Sequence, residues 1–203
     1  MSANPHPELR HFIRVYDGAL PAAWCARLLK AFDALGSHQL RNGREQRAGL
    51  DDSAWTELNV SRHGDPLTAT FFRGRIDQAL GQYNADVQLA IPVPNSPAFA
   101  DLVMKRYRPS PEPRAESGAE QFQLHFDAIN HLANRYLVLL WYLNDVERGG
   151  STRFPQLGIE VEARAGRLLM FPPYWMYQHE GLAPESGDKF ILSTYLLFTA
   201  GPA

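Results

Sequence analysis

Hydrophobic positions change their spacing part-way along the chain. In the first third, Trp24, Leu28, Phe32 and Leu35 recur at helical intervals after Pro21, with Gly36 placed as a C-cap. A second helix opens at Asp65 as N-cap with Pro66 at its first position. It carries Leu67, Phe71, Ile76 and Leu80 inward and ends near Tyr83. Phe12–Tyr16 reads as a short strand. The polar stretch Ser37–Gly64, with Arg41, Arg44 and Arg47, reads as a long loop with one helical turn near Asp52–Leu58. The arginine run is a solvated loop or a substrate lid.

From Val87 the pattern becomes short apolar or alternating runs separated by turn residues. The expected strands are Val87–Ile91, Leu102–Arg108, Gln121–Phe126, Arg135–Leu143, Ile159–Glu162, Arg167–Phe171, Tyr177–Glu180 and Lys189–Phe198. Gly149-Gly150 marks a turn that needs positive φ. Pro109–Ala119 has flap composition. Many short strands after helices predict a mainly β sandwich or barrel with a helical cover.

Composition narrows the chemistry. The 203 residues suit one domain, with residues 1–86 as helical support and loop and 87–200 as the β core. A net charge of −2 argues against a nonspecific nucleic-acid binder. No apolar run approaches a membrane span, and no secretory signal is visible, so the expected setting is cytoplasmic. Cys25 is the lone cysteine, so any bound metal must be held by imidazole and carboxylate.

His125-Phe126-Asp127 ends a predicted strand, where positions two apart face the same side. His179, in a later strand, supplies a third ligand. Two imidazoles and one carboxylate leave three octahedral positions open, which suits non-haem Fe(II) with a chelating co-substrate and dioxygen. Lys189 follows His179 by ten residues and offers a cation for a dicarboxylate. The triplet alone is a weak signal, since chance gives roughly 0.4 of them in such a chain. A decoy exists in His63-Gly64-Asp65, with His125 and then Arg135 downstream. Asp65 is explained as a helix cap, and the segment after it is helical, so the His125 set is preferred. His131 reads as a rim residue rather than a ligand.

With these residues in place, the sequence resembles the 2-oxoglutarate- and Fe(II)-dependent dioxygenases, in their prolyl 4-hydroxylase-like branch. The resemblance runs from about Asp101 to Phe198 through "HFD", "RYLVLLWYLNDVERGGSTRFP", "ARAGRLLMFPPYWMYQHEG" and "SGDKFILSTYLLF". It implies a double-stranded β-helix (jelly roll) with helical support. It implies His125, Asp127 and His179 as iron ligands and Lys189 as the partner of the 2-oxoglutarate C5 carboxylate. Tyr107 and Tyr142 match positions that touch that co-substrate. Arg135 matches a basic position at the site mouth, and Thr152, Tyr177 and Tyr195 join the pocket set. Tyr195 stands where relatives often have tryptophan, and "PSPEP" replaces the usual short glycine-rich turn before His125.

The implied activity is hydroxylation of an unactivated C–H bond, coupled to decarboxylation of 2-oxoglutarate to succinate. Dioxygen is consumed, with ascorbate as an optional reductant. The carboxylate at Asp127 favours hydroxylation over halogenation. The expected substrate is a prolyl residue of a peptide or protein, or a small amino-acid-like molecule. A cupin-type jelly-roll metal protein without oxygenase activity is the alternative; a nucleic-acid demethylase is disfavoured by the charge and by Lys189.

Overall fold

The computed structural model describes residues 7–44, 49–94, 98–109 and 120–199. Among these, the helices are α1 (Pro7–His11), α2 (Ala22–Ala34), α3 (Val60–His63) and α4 (Pro66–Val87). The first strands are β1 (Arg14–Tyr16), β2 (Leu40–Gly43), β3 (Ala54–Asn59), β4 (Ala98–Phe99), β5 (Val103–Tyr107) and β6 (Phe122–His125). They are followed by β7 (Arg135–Tyr142), β8 (Thr152–Phe154), β9 (Ile159–Val161), β10 (Leu168–Phe171), β11 (His179–Gly181) and β12 (Lys189–Leu197).

The strands form two antiparallel sheets. The larger has the order β1-β10-β7-β12-β5-β3-β2, with β4 added to one end of β12; the smaller has the order β6-β11-β8-β9. Two antiparallel sheets with such crossovers make the jelly roll that the strand pattern predicts. Strands β1, β2 and β3 come from the N-terminal part yet belong to the larger sheet, so the sheet crosses the expected division near residue 86.

Alternation along β7 places its neighbours on opposite faces. Leu137, Leu139 and Trp141 pack with Phe32 of α2 and with Phe72 and Ile76 of α4. Val138, Leu140 and Tyr142 face the inside of the roll with Leu169, Phe171 and Ile191. Two cores thus share one sheet. Each fully buried side chain of this size contributes about 1.5–3 kcal/mol of burial free energy.

Some local expectations differ from what is observed. Helix α2 begins one residue after Pro21, and it ends at Leu35 rather than in a glycine cap. Helix α4 is capped by Asp65, whose side chain accepts the Leu67 N–H at 2.8 Å. It continues past Tyr83 to Val87, where Gln88 turns left-handed at φ 50°. The expected strand Val87–Ile91 is therefore a helix end followed by a loop. The buried face of α4 is Thr68, Phe72, Ile76, Leu80, Tyr83 and Val87; Leu67 is exposed. Phe71 is partly covered by Trp24, with ring centroids 3.7 Å apart.

Ser37–Gly64 is not a loop. It holds the β2–β3 hairpin and α3. Arg41 on β2 pairs with buried Glu120, which also accepts the Arg108 N–H at 3.0 Å. Arg47, and residues 110–119 of the expected flap, lie outside the described residues. No helix among the described residues is long and apolar enough to cross a membrane.

Candidate metal centre

The centre begins with one register. β6 and β11 pair so that His125 stands directly opposite His179. Facing residues of adjacent strands lie close enough for their side chains to meet. The two rings meet with centroids 4.3 Å apart. Asp127 lies just beyond β6 rather than in it. Its N–H and that of Ala128 both donate to the Pro173 carbonyl, at 3.0 Å each. This clip turns the carboxylate toward the imidazoles: Asp127 Oδ1 is 3.7 Å from His125 Nε2, and Oδ2 is 3.5 Å from His179 Nε2. One ligand atom from each residue falls within 4.8 Å of the others.

Hydrogen bonding settles which atoms face inward. His125 Nδ1 donates to the Gln123 carbonyl at 2.7 Å, and His179 Nδ1 donates to the Tyr177 carbonyl at 3.1 Å. Each ring thereby offers the lone pair of Nε2. Burial, with the neighbouring His179, pushes His125 down to about 3, and burial also lowers His179. Both are neutral at pH 7, the form that binds metal. Burial acts to raise the Asp127 carboxyl, but His179, His125 and the Tyr195 hydroxyl outweigh it and hold it below the usual range. Asp127 Oδ2 is buried with no hydrogen-bond partner among the described residues. A buried, ionised, unpartnered oxygen between two inward lone pairs fits a divalent cation.

Behind this triad lies a narrow cavity ending at Lys189. Lys189 is only 2% exposed, and among the described residues no carboxylate lies against it. Its ammonium sits 5.4 Å from the Tyr107 ring centroid and 5.8 Å from that of Tyr142. Burial lowers it to about 7. Two glycines lie beside it. A Cβ at Gly181 would stand 3.7 Å from Nζ, and one at Gly150, which is held at φ 73°, would stand 3.5 Å from Cδ. A buried cation in a cavity that the metal ligands also line fits the far carboxylate of a dicarboxylate chelator.

The remaining sequence-derived residues take distinct places. Tyr107 pairs directly with Lys189 across β5 and β12 and lines the cavity. Tyr142 stands one layer behind: its hydroxyl donates to Thr152 Oγ1 at 2.7 Å, and Thr152 lines the cavity. Burial keeps the Tyr142 phenol protonated. Tyr195 shares the inward face of β12 with Lys189, and its hydroxyl donates to Asp127 Oδ1 at 2.9 Å. Arg135 lies over the Tyr195 ring, 3.6 Å from its centroid. The Tyr177 side chain is elsewhere, on an outer apolar groove with Phe12 and Tyr83; its carbonyl serves His179. His131 lies at the rim of an open groove that begins at the metal ligands. The decoy separates: His63 stacks on His38, and Asp65 caps α4.

Sequence reasoning missed Lys105, Ser193 and Phe122. Lys105 and Ser193 line the cavity, each two residues from a named site residue on its strand, so period-two alternation pointed to both. Phe122 stacks on His125 with centroids 4.1 Å apart and on Trp55 at 4.7 Å. Nothing local marked it.

Residues 114–197 match the family model described as the 2OG-Fe(II) oxygenase superfamily. No curated protein matches the chain in sequence. Among solved structures, a Pseudomonas putida prolyl-4-hydroxylase is 18% identical with a TM-score of 0.67, covering 94% of each chain. A viral collagen prolyl hydroxylase from Paramecium Bursaria Chlorella virus-1, in its 2OG complex, is 18% identical. Its TM-score is 0.61, with 93% of this chain and 97% of that one covered. A Trichoplax adhaerens prolyl hydroxylase bound to a hypoxia inducible factor peptide fragment is 14% identical. Its TM-score is 0.68, with 92% of this chain and 84% of that one covered. At such identity these likenesses speak for the fold. The family match carries the cofactors, Fe(II), 2-oxoglutarate and dioxygen, and favours an oxygenase over a cupin without oxygen chemistry.

Proposed function

We propose that this chain, whose residues 114–197 are a 2OG-Fe(II) oxygenase domain, hydroxylates a prolyl residue held in a peptide or protein. The observation that carries the substrate class is the open groove running outward from the ligands. Asn59, Asp101, Ile129, His131 and Arg135 line it together with the ligands His125 and Asp127. A free amino acid would be enclosed by a closed pocket; a groove open to solvent leaves room for chain on both sides of a target residue. The prolyl hydroxylases that share the fold, one of them bound to a peptide, support the same reading.

Bound together, Fe(II) and 2-oxoglutarate supply the oxygen-activating chemistry that hydroxylates a C–H bond and releases succinate and CO2. The chain's own groups hold and orient. His125 and His179 present Nε2, with each Nδ1–H fixed to a backbone carbonyl. Asp127 presents Oδ2. Lys189 takes the far carboxylate of the co-substrate, assisted by the Thr152 hydroxyl. Thr152 is free to donate because its oxygen is already receiving the Tyr142 proton. Tyr107 closes the wall beside Lys189. Val138, Leu140, Phe171 and Ile191 line the cavity and exclude water, which strengthens each polar contact inside it.

The test is to incubate the protein with Fe(II), 2-oxoglutarate and dioxygen beside proline-containing peptides and, separately, free L-proline. Mass spectrometry should find one added oxygen on a prolyl residue of a peptide, with matching succinate. Hydroxylation of free proline alone would overturn the peptide assignment.

A further inference from the structure

We propose that the Tyr195 hydroxyl restricts Asp127 to ligation through one oxygen, and so keeps one coordination position on the metal open. A carboxylate facing a divalent cation binds through one oxygen or through both. In this centre the two oxygens are not equivalent. Oδ1 lies 3.7 Å from His125 Nε2 and accepts the Tyr195 hydroxyl at 2.9 Å, whereas Oδ2 lies 3.5 Å from His179 Nε2 and is buried with no hydrogen-bond partner among the described residues. An oxygen that accepts a hydrogen bond from a fixed phenol has less charge to offer, and its position is set by the donor.

The phenol is fixed from several directions. Tyr195 faces Val138 of β7 across the sheet, which puts its ring on the inner face of β12. The Arg135 guanidinium covers the ring at 3.6 Å, and Arg135 Nη1 donates to the Asp127 main-chain carbonyl at 3.4 Å. On its other side Asp127 is held by its N–H bond to Pro173. One tyrosine and one arginine therefore grip the carboxylate at its side chain and its backbone. The consequence is a count. With two imidazoles and one carboxylate oxygen, three octahedral positions remain, enough for a two-point chelator plus one more ligand; two-oxygen ligation would remove that last position. Tyr195 is on this view a positioning residue, acting through Asp127 on how many exogenous ligands the metal accepts.

The inference rests on the reading of His125, Asp127 and His179 as the metal ligands, and the experiment separates the two. Mn(II) is titrated into full-length wild-type and Tyr195→Phe protein, and metal-bound water is counted by water-proton relaxation before and after N-oxalylglycine. Phenylalanine keeps the ring under Arg135 and removes only the hydroxyl. We expect Mn(II) to bind both proteins, Tyr195→Phe about ten- to a hundredfold more weakly, and the counts are compared at saturating metal. Tyr195→Phe should carry one fewer bound water, and none once N-oxalylglycine is added, where wild type retains one. Arg135→Gln, which frees the ring, should shift the count in the same direction by less. Equal water counts in wild type and Tyr195→Phe would overturn the proposal while leaving the metal site intact. Failure of Tyr195→Phe to fold, with Arg135→Gln at the wild-type count, would also overturn it, assigning the hydroxyl a structural role. Wild-type protein that binds no Mn(II) would overturn the ligand set itself.

Discussion

Strands β7 and β12 present two faces made by one backbone. Toward the helices they offer Leu137, Leu139, Trp141, Leu192 and Leu196, all buried among carbon atoms. Displaced by one residue along the same strands, Tyr142, Lys189, Ser193 and Tyr195 point the other way. The outer face holds the fold, and the inner face bears a buried ammonium and a hydroxyl tied to a carboxylate. Alternation lets a single sheet separate the two demands at the scale of one residue. A buried charge on the outer face would have no compensating purpose, whereas on the inner face it waits for a ligand.

The contrast can be broken by one substitution at the metal centre and one on the outer face. Asp127→Ala should lower 2-oxoglutarate turnover by roughly three orders of magnitude while leaving thermal stability equal or higher. Trp141→Ala, on the outer face of β7, should cost about 3–5 kcal/mol in denaturant unfolding with the metal affinity of the folded fraction preserved. Both variants losing stability equally would abolish the distinction between the faces.

Lys189→Met sharpens it. Removing a buried ammonium should stabilise the protein without co-substrate by about 1–3 kcal/mol. It should weaken N-oxalylglycine binding, read by calorimetry with Mn(II), by at least about a hundredfold.

The same lysine sets a pH signature. Its folded value near 7 lies below the roughly 10.4 of an unfolded lysine. Between these values the unfolded chain binds the extra proton, so the lysine's penalty is full below pH 7 and relaxes as pH rises. Stability measured by urea unfolding should therefore gain from this group between pH 7 and 10. N-oxalylglycine affinity should fall over the same range, because the amine must take up a proton to pair with a carboxylate. Lys189→Met should flatten both slopes.

The smallest effect belongs to Tyr142→Phe. It removes the hydroxyl that orients Thr152, and should cost about 1 kcal/mol of stability and a few-fold in co-substrate affinity.

The inner face was largely legible beforehand because its residues are spaced by two. Lys189 and Tyr195, on one strand, announce a shared side before any fold is known; His125 and Asp127 stand two apart as well, but Asp127 lies beyond β6 and is turned inward by the Pro173 carbonyl, not by alternation. The β core was legible for the same reason. The β2–β3 hairpin was hidden because it lacks alternation: Ala54, Trp55 and Thr56 are buried in succession, and edge strand β2 is LRNG, exposed at Leu40 and Arg41. Strand β8 was hidden by brevity, three residues between Gly150 and Pro155. The Thr152–Tyr142 relay followed it out of view. The carboxylate clip was invisible too, since backbone N–H groups reaching Pro173 across the chain leave no mark in residue type.

That Pro173 clip has a consequence for the cell's metal supply. The clip is made by main-chain groups, so the fold itself carries Asp127 to the two imidazoles. A chelator should strip the protein without unfolding it. A nitrogen–oxygen site of this kind also ranks the divalent metals by their own affinities, with nickel, copper and zinc above ferrous iron. Iron occupancy is then a matter of which ion is plentiful where the chain is made. Zinc or nickel met first would produce a folded, silent oxygenase.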